Sequence, residues 1–138
     1  MSIAYHVDEK MGVTFVSWNG LVSADMFLNH VRRLSSDTNW PTAKRLHLSD
    51  LRTTSLDASM DDATLEKASR LYGEHPDKIT DLRVAVVAED AFWKAVAFER
   101  LISKYRALVV VFNSLSTACT WLGIDAEKAD AKLKQLRG

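Results

Sequence analysis

The sequence has little cysteine, proline and glycine, and these scarcities exclude several classes of protein. Of its 138 residues, one is cysteine, two are proline and five are glycine. The lone Cys119 excludes an internal disulfide, and its apolar helix-forming neighbours predict a buried thiol. The glycines never cluster, which excludes a glycine-rich phosphate-binding loop. We therefore expect no nucleotide cofactor, and no other cofactor is indicated.

The chain also lacks an excess of charge and any long apolar run. Eighteen basic side chains balance eighteen acidic ones, so no electrostatic attraction to nucleic acid or to an anionic membrane is expected. The first eight residues lack the basic lead and the apolar stretch of a signal peptide, and no later run has the length of a membrane span. These features predict a cytoplasmic protein with neither a membrane span nor a nucleic-acid partner.

Side chains that bind metals or perform catalysis are scattered along the sequence. The four histidines, at positions 6, 30, 47 and 75, show no ligand spacing, and Cys119 has no second thiol. No nucleophile-elbow motif surrounds any serine or cysteine. We expect no metal site and no enzyme. A catalytic group assembled by the fold from distant residues stays open as an alternative.

Two hydrophobic periods alternate along the chain and predict an α/β fold. Residues 3–7 and 13–18 alternate as an opening hairpin does, and valine-rich runs predict central parallel strands. Helical spacing follows the Ser23 cap, and a capping-box pattern from Ser59 to Asp62 opens another helix. The predicted order is β-β-α-β-α-β-α-β-α-α in a single domain over 1–138, with the later elements at 45–49, 82–88, 90–104, 108–112, 115–122 and 126–136.

The polar segment Asp50 to Ser55 is the most informative stretch for function. It is predicted to be a loop that leaves a strand and precedes a helix, a place that ligand sites favour in open α/β sheets. Asp50 and Arg52 are close enough in sequence to pair, and the hydroxyls of Thr53, Thr54 and Ser55 lie where a phosphate could meet a helix end. The segment is either a hydrogen-bonded turn or a partner-binding loop that is controlled by phosphorylation.

Several short segments also occur in a recognisable order and spacing. They are Val16 to Gly20, Val22 to Asp25, Leu48 to Arg52, Arg83 to Ala88, Val111 to Ser114 and Ala118 to Gly123. Together they resemble the SpoIIAA-like branch of the STAS domains, whose founding members are bacterial anti-sigma-factor antagonists.

The resemblance implies a mixed sheet of about five strands, with an opening antiparallel strand, successive parallel β-α units and helices packed mainly on one face. It implies a bacterial, non-enzymatic regulatory or binding domain that acts through contacts with a protein partner, which is unidentified here. In the founding members a serine after the third strand is phosphorylated within an Asp-Ser-Ser-Gly-like stretch. Residues 50–55 lack that motif, so no single residue inherits the role. An incompletely covered sheet face or edge makes a homodimer plausible.

A second hypothesis comes from the likeness of this branch to small lipid-carrying folds. Under it, apolar groups beneath the predicted 90–104 helix admit a small hydrophobic ligand or lipid. Phe92, Val96, Phe98 and Ile102 are the candidate lining residues. Their helical spacing favours core packing as the better account.

Overall fold

The computed structural model describes residues 2–138, which form five strands and six α-helices. The strands are β1 Ser2–Asp8, β2 Val13–Val22, β3 Leu46–Leu56, β4 Arg83–Ala88 and β5 Leu108–Phe112. The helices are α1 Ala24–Ser36, α2 Asp62–Gly73, α3 Pro76–Ile79, α4 Phe92–Ile102, α5 Leu115–Leu122 and α6 Ala126–Arg137, and a short 3-10 turn follows α4 at Ser103–Tyr105.

The five strands form one mixed sheet in the order β1-β2-β3-β4-β5. Strand β1 is antiparallel to β2, and every later neighbour pair is parallel. The turn between β1 and β2 needs Gly12, whose φ of +75° is costly for other residues. The predicted α/β sheet of about five strands with an opening antiparallel strand is therefore confirmed.

Local capping signals in the sequence fix several helix ends. The Ser23 hydroxyl accepts a hydrogen bond from the N–H of Met26 and begins α1. Gly123, with φ +74°, ends α5 in the left-handed conformation that suits glycine. The Asp125 carboxylate then accepts from the N–H groups of Glu127 and Lys128 and begins α6.

Helices cover both faces of the sheet. Most of them, α1 to α4, pack on one face, as predicted, and α5 and α6 cover the other. Cys119 is buried between α5 and the sheet, where the apolar sequence pattern placed it. Because neither face is left open, the unpaired backbone of this chain lies at the sheet edges β1 and β5. The open sheet face that suggested a homodimer is absent from the described residues, and only the edges remain.

Strand β3 runs further than the sequence indicated. Residues 50–55 belong to it and are not a loop, because β3 continues to Leu56 beside the extended strand β2. The partner register changes from Ser17–Asp50 to Asn19–Thr53, so β3 holds one extra residue opposite Trp18. Such a bulge bends a strand without ending it, and threonine favours strands. Sequence periodicity alone does not reveal a partner strand of this length.

Helix α2 also begins later than the capping-box pattern predicted. Asp61 is the N-cap, and its carboxylate accepts a hydrogen bond of 2.9 Å from the N–H of Thr64. The Ser59 hydroxyl instead accepts from the N–H of Ala24 at 2.8 Å and contacts the Asp57 carboxylate. Ser59 is therefore used in a contact between the starts of α1 and α2, which a local sequence pattern cannot specify.

We expect Asp61→Ala to lower the free energy of unfolding by about 1 kcal/mol, because the first turn of α2 loses its side-chain acceptor. Urea denaturation followed by circular dichroism measures this change. Asp61→Asn is the matched control, since it removes the charge and keeps a capping oxygen. An equal loss in both variants would contradict the role of the cap.

Candidate functional site

An apolar cavity of about 100 Å³ lies between the sheet and the helices α1, α2 and α4. It is a gap in the core on the face that α1 to α4 cover. From the sheet and the loop before it, the lining residues include Trp18, Trp40, His47, Ser49, Leu51, Val84 and Val86. From the helices they include Phe27, His30, Tyr72, Lys94, Ala95, Phe98 and Ile102.

Five aromatic rings form a continuous series of contacts along the cavity wall. The ring of Trp18 lies 5.1 Å from that of Phe27, which lies 5.7 Å from that of Phe98. Tyr72 continues the series at 6.4 Å from Phe98, and Trp40 lies 6.0 Å from Tyr72. These tilted and edge-to-face pairs have the geometry that aromatic rings prefer. All five rings line the cavity and form one aromatic wall.

His47 is buried in the sheet wall, and its hydrogen bonds define its tautomer. The indole nitrogen of Trp40 lies 3.4 Å from His47 Nδ1, and an indole N–H can only donate. Nδ1 therefore accepts, Nε2 carries the proton, and Nε2 donates to the Ser49 hydroxyl at 3.2 Å. Burial lowers the pKa of His47 to about 4. In this tautomer His47 has no free ring nitrogen with which to take a proton from Ser49.

His30 lies on α1 and is the second buried histidine of the wall. Its ring is 5% exposed, and its Nδ1 has no hydrogen-bond partner among the residues that the structure describes. Burial, and then the charges of His47 and Arg33, lower the pKa of His30 to about 3. An unpaired polar atom in a core costs free energy, so it usually finds a protein or water partner.

The remaining polar groups of the cavity carry little charge. Burial raises the pKa of Tyr72, so its hydroxyl stays protonated at neutral pH. Lys94 is exposed at the start of α4 and is, within residues 2–138, the one charged residue on the wall. Of the described residues that line the cavity, none is a carboxylate. The interior is therefore suited to an uncharged occupant, because a buried ion would lack a counter-charge.

Only two of the four residues that the sequence predicted to line a hydrophobic-ligand site contact the cavity. Phe98 and Ile102 line the cavity, whereas Phe92 and Val96 do not. Phe92 packs at the rim of the core and against Trp93. The sequence analysis did not identify the polar wall. The one signal for it was His30, a histidine that shares an apolar helix face with Phe27.

The second candidate group, Asp50 to Ser55, forms an ion-pair cluster beneath α6. Asp50 is 1% exposed, and Arg52 binds it through two hydrogen bonds of 2.9 and 3.0 Å. Arg137 at the end of α6 donates to the same carboxylate at 3.2 Å, and Arg52 also lies 3.6 Å from Asp130. The cluster holds α6 to the sheet on the face opposite the cavity.

The three hydroxyl residues of this segment lie on β3, opposite Asn19 to Leu21 of β2. Thr54 is buried and donates to the carbonyl of Gly20 at 2.7 Å. Thr53 is exposed, and its hydroxyl donates to the carbonyl of Trp18 at 3.3 Å. Ser55 is exposed on the strand. A kinase could reach Thr53 and Ser55 but not Thr54, and phosphorylation of this segment stays a prediction.

Residues 2–138 contain neither a cluster of metal-ligating side chains nor a helix that could span a membrane. In this part of the chain no group of three or more His, Cys, Asp or Glu side chains is placed to hold a metal ion. Over the same residues, every helix is too short or too polar to cross a membrane.

We expect the two neutral histidines to make the protein less stable in acid. Each has a folded-state pKa below its unfolded value, so the unfolded chain binds more protons, and stability falls as the pH drops below about 6.5. Between pH 7 and pH 5 one such histidine accounts for about 2 kcal/mol of this loss.

Urea denaturation at the two pH values measures the loss. His30→Leu should reduce it by about 2 kcal/mol, whatever the absolute stability of the variant. His6→Leu, at an exposed position on β1, is the control and should keep the full loss. A pH dependence in His30→Leu equal to that of the wild type would contradict this assignment.

Comparison with known proteins identifies the fold. No protein-family profile and no curated protein matches the chain. Among solved structures, it is similar to an uncharacterized protein from the DUF3478 family with a SpoIIAA-like fold from Shewanella loihica PV-4. The TM-score is 0.52 at 15% sequence identity, and the match covers 88% of this chain and 92% of that one. Together with the strand order and the β-α succession described above, this match shows that the chain has a SpoIIAA-like fold.

Proposed function

We propose that this chain is a non-enzymatic binding domain that takes a small, mainly apolar molecule into the cavity between the sheet and α1, α2 and α4. The observation that carries the proposal is the cavity itself, which is lined by aromatic rings and by the buried residues His30, His47 and Ser49. Protein cores are normally close-packed and satisfy their polar atoms. A gap in such a core has the character of a binding site.

The size of the cavity limits the occupant. Its volume of about 100 Å³ is below the roughly 150 Å³ of an engineered cavity that holds benzene. Typical ligand pockets begin at roughly 300 Å³. The occupant is therefore a small molecule, and a larger one requires a wall to move outward.

Helix α4 is the wall best suited to such a movement. Its N-cap, Ala91, makes no side-chain hydrogen bond, and Ile102 is the one buried residue of the helix over its described length. Helix α1, in contrast, has a side-chain cap and buries six residues. A helix with few buried contacts opens at low cost in free energy.

The hydrogen bonds of His47 argue against catalysis by a serine nucleophile in the cavity. In its tautomer the ring donates to Ser49 and cannot serve as the base that a serine nucleophile needs. Among the described residues that line the cavity, no carboxylate supplies a second titratable group. A SpoIIAA-like fold by itself does not determine function, so this argument rests on the site.

Regulation through protein contacts is the second candidate, and the exposure of Trp93 favours it. This side chain is 77% exposed at the start of α4, next to Lys94 and Ala95 of the cavity wall. Exposed tryptophan is enriched in protein interfaces. A protein partner bound here would contact the same helix that closes the cavity, so its binding would depend on the occupant. Phosphorylation of Thr53 or Ser55 belongs to this second candidate.

We expect the cavity to bind xenon, and to bind benzene where α4 moves outward, because its volume of about 100 Å³ is below that of the engineered cavity that holds benzene. Xenon is detected by NMR shift changes, and benzene by the rise in the free energy of unfolding, about 1.4 kcal/mol at ten times the dissociation constant. Ala95→Leu should abolish both effects because the larger side chain fills the cavity.

Ala131→Leu is the matched control, at an exposed position on α6 away from the cavity. It should bind both probes as the wild type does. Absence of xenon binding to the wild type would contradict the proposed function, and so would undiminished xenon binding to Ala95→Leu.

If the partner is a second copy of this chain, we expect the wild type to sediment as a dimer and Trp93→Ser to shift it towards the monomer. The reason is the loss of a large exposed apolar side chain from the contact. Leu108→Ser is the comparison variant, because Leu108 is 53% exposed on the edge strand β5. Dissociation by Leu108→Ser alone would place the contact at the sheet edge, and a monomeric wild type would rule out the homodimer.

A further inference from the structure

The outer edge of β5 combines unpaired backbone groups with apolar side chains on both faces of the sheet. We propose that two copies of this chain associate through this edge, with their β5 strands antiparallel about a twofold axis at Val110. The inference is independent of the cavity and its ligand, and it gives a homodimer a defined geometry.

The hydrogen bonds of β5 identify the backbone groups that are free to bind. The N–H of Leu108 donates to the carbonyl of the residue before β4 at 2.8 Å, so the backbone groups of Leu108 face β4. Alternate residues of a strand face the same neighbour, so Val110 and Phe112 also face β4, in agreement with the register. The N–H and C=O groups of Val109 and Val111 therefore point outward, where residues 2–138 supply no further strand.

A twofold pairing of β5 with itself satisfies these outward groups. When two such strands are antiparallel and centred on Val110, Val109 of each copy lies opposite Val111 of the other. Opposed residues of this kind exchange both of their N–H···O=C bonds. The same pairing places Leu108 opposite Phe112, and Val110 opposite its own copy, so only apolar side chains meet across the edge.

Strand β5 also lacks the features that normally keep sheet edges from pairing. Natural edge strands carry charged side chains, proline or a bulge. The five residues of β5 are all apolar and keep a regular register with β4. The opposite edge strand, β1, contains His6 and Asp8, and Lys132 of α6 lies beside it in an ion pair with Asp8. Of the two edges, β5 is therefore the one suited to a second copy.

On the α5 side of the sheet, apolar side chains extend the surface beyond the strand backbone. Leu108 is 53% exposed. Phe112 is half-buried, and its ring lies 5.7 Å from that of Trp121. The guanidinium of Arg83 lies over the other part of this cluster, 4.7 Å from the Trp121 ring. Exposed aromatic and arginine side chains are the groups that protein interfaces favour.

On the other side of the sheet, the outer flank of α4 continues the surface. Helix α4 packs over β5, and Lys94 is within electrostatic range of Asp61 at the start of α2. Phe92 and Val96 are four residues apart on the flank away from α2, and both are half-buried outside the cavity. The sequence predicted these two residues to line a ligand site, and this flank places them next to the bare edge.

The two ends of α4 carry charges of opposite sign. Glu89 and Asp90 precede the helix, and Arg100, Lys104 and Arg106 lie at or after its end, all of them exposed. Within residues 2–138 none of the five forms an ion pair. The twofold axis lays the two α4 helices antiparallel on one side of the joined sheet, so the acidic end of each meets the basic end of the other. The surface is therefore complementary in charge to itself.

Trp93 adds to the contact on the α4 side. It is 77% exposed at the acidic end of the helix, so it would lie beside the basic end of the other helix, and cations bind aromatic faces favourably. Even with this residue, each copy contributes fewer residues than the roughly 20–30 of a standard interface. We therefore expect a dimer in equilibrium with its monomer.

Sedimentation equilibrium combined with amide hydrogen exchange by NMR tests the pairing residue by residue. At a concentration where about nine-tenths of the chains are dimeric, exchange of the Val109 and Val111 N–H groups should be about tenfold slower than in the monomer, because only the remaining tenth is open. The N–H groups of Val110 and Phe112 bond to β4 in both states and should change much less.

Variants on the strand assign the association to this edge. Val111→Pro removes an outward donor and keeps the bonds to β4, a change that edge strands tolerate, and it should yield a monomer. Val110→Lys places two lysines opposite each other at the axis, should also yield a monomer, and keeps the test decisive if Val111→Pro fails to fold. His6→Lys, on the opposite edge, is the matched control and should associate as the wild type does.

Charge reversal tests the arrangement of α4. Arg100→Glu combined with Lys104→Glu should weaken the dimer, most strongly at low salt. Adding Glu89→Lys and Asp90→Lys to that variant should restore it, because both ends of the helix have then changed sign. A dimer that neither set of substitutions affects would contradict the antiparallel placement of the helices.

A wild type that stays monomeric at every accessible concentration would overturn the inference. So would a dimer with unchanged exchange at Val109 and Val111, or a dimer that survives both β5 variants. Dissociation by Trp93→Ser with no effect of the β5 variants would place the contact on the solvent side of α4 and overturn it as well. Xenon binding is measured separately, so the inference and the proposed function fail independently.

Discussion

The parallel pairing of β3 with a strand on each side is the constraint on which the rest of the structure depends. Because successive side chains of a strand point to opposite faces, this one segment contributes to two different interiors. Leu46, Leu48 and Asp50 face α5 and α6, while His47, Ser49 and Leu51 face the cavity. The core beneath α5 and α6 and the mainly apolar cavity therefore lie back to back on one central strand.

Much of the fold was predictable from the sequence because its signals are local. The valine-rich strands β4 and β5, the Ser23 and Asp125 caps and the glycine end of α5 each depend on a few adjacent residues. The continuation of β3 to Leu56 was not predictable, because it depends on pairing with the long strand β2 and on a bulge opposite Trp18. The cap of α2 was misplaced for a similar reason, since Ser59 is occupied by a contact with the start of α1.

The candidate site was less predictable than the fold. Phe98 and Ile102 were identified from their helical spacing, which core residues share. Trp40 can donate to His47 only once the loop before β3 is folded against the strand. This hydrogen bond sets the tautomer of His47, in which Ser49 accepts a proton from Nε2 and keeps its own hydroxyl hydrogen. The unpaired nitrogen of His30 is likewise a property of packing between α1 and the sheet. Such polar exceptions in an apolar interior have no local signature.

The extra residue of β3 has a consequence for how related sequences are compared. Before the bulge, odd-numbered residues of this strand, such as Ser49 and Leu51, lie on the cavity side. After it the phase is reversed, and the even-numbered Leu56 lies there. A relative without the bulge would match this chain on only one side of position 52 unless a one-residue gap is introduced. At 15% identity, an ungapped alignment would exchange inward and outward positions and hide a shared binding site.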